Sequence, residues 1–144
     1  MKAILESPIV KLAAIFTLII FTQGCTSNSS SLCDPMNNKG IGPITSIELA
    51  QLNSKMAEEG NVLYDQLCSI CHDEIKQMEG PAHKGIINRR TPEWIMNMMM
   101  NPTEMAQNDP IAKILAERVN GVEMADMNLS RDEARKILEY LRTL

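Results

Sequence analysis

From Met56 onward, apolar or small residues recur at Gly60, Leu63, Tyr64, Leu67 and Cys71, three and four positions apart. That spacing lines one helix face and predicts a first helix leading into the cysteines. A second helix is framed by Thr91 as N-cap, Pro92 at the first helical position and Glu93 behind it. Asn101-Pro102 should end it, because a residue before proline leaves the helical region. Asp109-Pro110 opens a third helix in the same way, with Ile111, Ile114, Leu115 and Val119 on one side and Gly121 as its stop. Ser130 and Glu133 form a capping box for the last, whose apolar stripe is Ala134, Ile137, Leu138 and Leu141. No stretch alternates convincingly with the two-residue period of a strand. The pattern therefore predicts one all-α domain of about four helices over 54–144, with connections long enough to wrap something.

The N-terminal part follows different rules. Lys2 and Lys11 bracket a short basic region, 12–21 is predominantly apolar, and Thr22-Gln23-Gly24-Cys25 ends in a small residue and a cysteine. This is the layout of an export signal over 1–24. Ten residues rise about 15 Å as a helix, against about 30 Å of bilayer hydrocarbon, so a spanning helix is the weaker reading. The segment resembles a bacterial lipoprotein signal, which implies that Cys25 becomes the lipid-bearing first residue; Thr22 and Gln23 depart from the usual pattern. Ordinary cleavage nearby would leave a soluble periplasmic protein instead. Serine, threonine and asparagine dominate 26–31, and Gly40, Gly42 and Pro43 punctuate 37–43, so 25–53 reads as a flexible tether followed by an extended segment.

Composition then bears on the core. Both phenylalanines, Phe16 and Phe21, fall in the signal, which leaves Tyr64, Trp94 and Tyr140 as the only rings for the domain. Eleven methionines do not fully replace them. A small core so poor in rings predicts a large, flat, apolar cofactor. The chain has 14 basic and 18 acidic residues; without Lys2, Lys11 and Glu6 these become 12 and 17, a net charge of −5. Such a surface argues against nucleic acid as a partner.

The candidate chemistry is Cys68-Ser69-Ile70-Cys71-His72, the C-x-x-C-H pattern of covalent haem attachment. Cysteines three apart lie about one helical turn from each other, so both sulfurs reach the two vinyl groups on one edge of a haem, and the next residue turns its imidazole to the iron. A disulfide or a thioredoxin-like pair could use the same cysteines, but neither requires His72, and no βαβ context is present. A zinc site would have to recruit Cys33 and His83, whose spacing is wrong.

On these residues, 54–144 resembles the class I cytochrome c family: Gly60, Tyr64, Cys68, Cys71 and His72 match its first helix, Gly80-Pro81 its following loop, and Tyr140-Leu141 its closing helix. The resemblance implies that Gly60 lets the first and last helices cross closely near Tyr140. It also implies that the Pro81 carbonyl accepts the second imidazole proton of His72, raising its basicity. The family usually has leucine where His83 stands, and His83 reads as a surface or loop histidine on the His72 side. For the sixth iron ligand the family pattern aligns with Met124, six residues before Ser130; Met127 is the alternative, and Ala125 replaces the usual proline. Arg89 and Arg90 are candidates to pair with haem propionates. Trp94, with Ile95, Met98 and Met99, is a candidate to pack on the haem.

The expected function is a single-haem, membrane-tethered electron carrier rather than an enzyme, on the periplasmic side of a bacterial membrane. Its partners would be redox proteins, a quinol-oxidising donor and a terminal reductase acceptor. The 89–105 stretch and Gly40-Ile41-Gly42-Pro43 are similar to small cytochromes that accompany nitrous oxide reductase. Two other classes stay open. An iron without its methionine would suit a gas sensor or a peroxidase, and the cluster Met96, Met98, Met99, Met100 and Met105 could hold Cu(I) in a copper-handling protein, although adaptable core filling explains it more simply.

Overall fold

The computed structural model describes residues 33–119 and 121–144. The expected signal over 1–24, the expected lipid-bearing Cys25 and the polar stretch 26–31 lie outside the described residues. The elements lying wholly among the described residues are five α-helices and one 3-10 turn, Ile86–Asn88: α1 Ser54–Leu67, α2 Pro92–Met100, α3 Pro102–Asn108, α4 Pro110–Arg118 and α5 Arg131–Leu141. No strand occurs among the described residues.

Most helix ends follow from their capping residues. Thr91 Oγ1 accepts from Trp94 N at 3.1 Å, and Asp109 Oδ1 accepts from Ile111 N and Ala112 N at 3.0 and 2.8 Å. The Ser130–Glu133 box closes reciprocally at the start of α5. All four residues of the α5 stripe are buried. Asn101-Pro102 ends α2 as expected, and Pro102, sitting where its missing N–H costs nothing, also starts α3, burying Pro102 and Met105. One expectation is corrected. In α4 the buried side is Ile111 and Ala112, and Ile114 is half exposed.

The central packing is α1 across α5. A Cβ on Gly60 would lie 1.9 Å from the Lys136 carbonyl oxygen, so the crossing admits no side chain there. Tyr64 and Tyr140 meet beside it with ring centroids 5.1 Å apart. α2 packs on α5, and α3 on α4. Met96, Met99 and Met105 are buried in the same cluster as Trp94 and Ile44, so the methionine run is largely core filling, as flexible thioethers permit.

Ahead of α1 the chain forms a fastened strap. Asn97 Oδ1 accepts from Ile44 N at 2.9 Å, and its amide donates to the carbonyls of Lys39 and Ile44, both at 2.9 Å. Thr91 Oγ1 donates to Asn38 O at 2.6 Å, and Asn38 Nδ2 donates to Asp109 Oδ2 at 2.7 Å. Farther along, Glu139 accepts from Asn53 N at 2.7 Å and Arg142 donates to Ala50 O at 2.9 Å. From Asn38 on, the stretch expected as tether and extended segment is extended but bound down. Among the described residues no helix is long and apolar enough to cross a membrane.

Candidate cofactor site

α1 delivers the cysteines at its C-terminus. The Cys68 N–H closes the helix on Tyr64 O at 2.8 Å, and Cys71 N and His72 N both return to Cys68 O, at 3.1 and 2.9 Å. One tight turn thus carries Cys68, Cys71 and His72. Neither sulfur is in a disulfide. Burial pushes the Cys68 thiol up to about 11, and the carboxylate of Glu79, which accepts from Cys71 Sγ at 3.3 Å, raises the Cys71 thiol as well. No group of three or more metal-holding His, Cys, Asp or Glu side chains exists among the described residues, which leaves the zinc alternative without a site.

The loop after His72 is folded back onto the turn. Gly80 N donates to Cys71 O at 2.8 Å, His83 N to Asp73 O at 3.2 Å, and Lys84 N to Glu74 O at 2.7 Å. This brings Pro81 O to 3.0 Å from His72 Nδ1, the atom pair the resemblance singled out. A proton on Nδ1 then satisfies that carbonyl and leaves Nε2 as the ring's basic nitrogen. Gly80 has no room for a side chain: a Cβ would stand 2.1 Å from His72 Cε1.

His83 is in a loop on the His72 side, as expected, and is partly buried there. Its ring stacks on His72 with centroids 4.3 Å apart and planes 20° apart, and its Nδ1 lies 3.1 Å from Tyr64 Oη. Burial, with the neighbouring His72 and Arg89, pushes its pKa down to about 3, so the ring is neutral. Burial also raises Tyr64, with the nearby Cys68 and acidic side chains, to about 12. Tyr140 donates to Glu74 on the far side of Tyr64. Nothing in the sequence signalled the stack.

The remaining candidates are spread along the structure. Arg89 donates to Ala82 O and Lys84 O at 3.0 and 2.6 Å, so its guanidinium already braces the loop. Arg90 lies over the Trp94 ring, 5.2 Å from its centroid, and its Nε is buried without a hydrogen-bond partner. Trp94 belongs to the core and donates through Nε1 to Asp109 Oδ1 at 3.1 Å. Met124 is partly buried against the core, whereas Met127 is exposed. Cys33 is exposed and far along the chain from the motif.

These residues fit a haem. Two cysteines one turn apart and outside any disulfide, an imidazole clamped at Nδ1 with Nε2 left over, a glycine that keeps the ring's flank clear, and the unpartnered Arg90 Nε form a matching donor set.

The family model for cytochrome c matches residues 57–144. The chain belongs to the cytochrome c family, and its cofactor is covalently bound haem c, for which Cys68 and Cys71 stand in place. Among solved structures, a cytochrome c from Rhodothermus marinus is 40% identical, with a TM-score of 0.69 over 71% of this chain and 88% of that one. An engineered form of that protein, bound to a carbene intermediate, is 38% identical, with a TM-score of 0.66 over 71% of this chain and 88% of that one. The cytochrome c domain of the pp3183 protein from Pseudomonas putida is 26% identical, with a TM-score of 0.52 over 58% of this chain and 85% of that one. No curated protein matches the chain. The all-α cytochrome c fold and an electron-transfer haem protein follow from these findings.

Proposed function

We propose that this cytochrome c passes single electrons through a haem held by His72 on one side and Met124 on the other. The observation that carries the reading is the clamp of Pro81 O on His72 Nδ1 at 3.0 Å, which orients the ring and keeps Nε2 basic. When bound, the haem supplies a one-electron couple, whose potential a soft thioether ligand raises. Met124 supports the second position by being partly buried against the core while Met127 is 39% exposed. Cys68 and Cys71 anchor by thioether bonds, which suits a protein working where free haem would be diluted away. Arg90 offers its unpartnered Nε–H to a carboxylate such as a propionate.

The protein works outside the cytoplasm, lipid-anchored through Cys25 on the periplasmic side of the membrane, as the pattern of 1–25 supports. It takes electrons from a quinol-oxidising donor and delivers them to a terminal reductase, nitrous oxide reductase being the one its 89–105 stretch favours. The acidic excess fits partners with basic docking faces, in small interfaces that dissociate quickly.

Optical spectra of the mature protein test the ligands. A six-coordinate low-spin haem with the weak far-red sulfur-to-iron band is expected, lost in Met124→Ala and kept in Met127→Ala. The reverse pattern moves the ligand to Met127. Ready carbon monoxide binding by the unaltered protein overturns the carrier in favour of a sensor or peroxidase. For the anchor, Cys25→Ser should release the protein from the membrane fraction; if it stays bound, lipidation at Cys25 is wrong.

A further inference from the structure

Pro81 holds His72 at one atom of its ring. A single hydrogen bond tolerates a range of rotations about the Cβ–Cγ bond, because acceptor geometry at a carbonyl oxygen is broad. The remaining freedom is removed by a contact on the ring's face, and His83 makes it, with 4.3 Å between centroids and only 20° between planes. His83 is itself fixed from several directions. Its backbone N–H donates to Asp73 O, its Nδ1 meets Tyr64 Oη at 3.1 Å, and its edge packs on the Tyr64 ring with centroids 5.6 Å apart. Tyr64 is fixed in turn by Tyr140 of α5. A rigid line of rings therefore runs from the closing helix to the proximal imidazole.

We infer that His83 is a positioning residue, whose stacked ring sets the rotation of the His72 imidazole about its side-chain axis. A leucine in its place has no plane to impose and no atom to tether to Tyr64. The inference rests on His72 being the iron ligand. The rotation of an axial imidazole governs the splitting of the iron d orbitals, and so the order in which the haem-methyl protons shift in the oxidised protein.

The test is the proton NMR spectrum of the oxidised, fully matured protein and its variants. His83→Phe keeps a stacked ring without the tether and should keep the parental order of haem-methyl resonances. His83→Leu and His83→Gln lose the plane and should change that order, with a smaller spread between the outermost methyls. Parental order in Leu and Gln, or a Phe variant that departs as far as they do, overturns the inference. Where His83→Leu fails to mature, His83→Gln, which can still reach Tyr64, carries the comparison. A haem-methyl spectrum that is unchanged in His72→Ala refutes ligation by His72 itself, an outcome distinct from parental order in the His83 variants.

Discussion

Gly60→Ala puts the α1–α5 crossing to a test of sign. The added Cβ would lie 1.9 Å from Lys136 O, 2.5 Å from Lys136 C and 3.1 Å from Ile137 N, all backbone atoms that no rotamer change removes. Ordinary contact begins near 3.4 Å, so the helices must part by roughly 1.5 Å where Tyr64, Ala134 and Ile137 now interlock. Overpacking of this kind costs about 1–3 kcal/mol, and a clash with backbone belongs at the upper end. Alanine regains about 1 kcal/mol of helix propensity over glycine. The expected net loss is about 2 kcal/mol, a fall in Tm of about 8–16 °C for a domain of this size. Propensity alone would instead raise Tm. Guanidinium and thermal unfolding of the haem-loaded protein, followed by far-UV circular dichroism, measures the difference, with Glu58→Ala on the exposed side of α1 as the near-neutral comparison. A Gly60→Ala protein as stable as the parent would refute the packing argument.

Asp109→Ala should cost about 3 kcal/mol, since it removes the α4 cap and strands the Trp94 indole N–H in the interior; Trp94 emission against guanidinium reads it, with a smaller loss expected for Asp109→Asn. Gly80→Ala should displace His72 and reduce the yield of low-spin protein in the optical spectrum, while an exposed change such as Lys76→Ala leaves it unaltered. Burial pushes the Glu139 carboxyl up, but the Asn53 N–H and the guanidinium groups of Arg135 and Arg142 outweigh it and hold the folded pKa below the ordinary 4.5. Because the folded value is depressed, this stabilisation is present above pH 4.5 and is lost as pH falls below it. The unfolding midpoint should therefore decline in that acid window, and less steeply in Glu139→Gln.

What the sequence made readable was what neighbours along the chain decide. Thr91-Pro92, Asp109-Pro110 and Ser130 with Glu133 marked helix starts because capping is local, and the α5 stripe declared its face by period alone. The C-x-x-C-H turn was legible for the same reason. Contacts between distant segments were not. Asp109 read as a cap for α4 but not as the acceptor for Trp94 and Asn38, and the bonds of Arg89 to the loop carbonyls of Ala82 and Lys84 were not legible either. Nor could spacing show that His83 turns inward, since that depends on the loop folding back over Asp73 and Glu74. Pro102 marked the end of α2 correctly, but α3 went unread because the same residue type also begins a helix.

The strap also decides how mechanical load enters the molecule. A pull on the chain ahead of Cys33 first meets the turn on which Asn38 N donates to Asp34 O, and then the bonds of Asn38 to Thr91 and Asp109. Traction is thus taken up at the starts of α2 and α4, and the Asn97 clasp behind them backs it up. The route from there to α1 passes a second fastening at Glu139 and Arg142. Tugging at the N-terminal end would have to unpick both before it could disturb the turn that carries Cys68, Cys71 and His72.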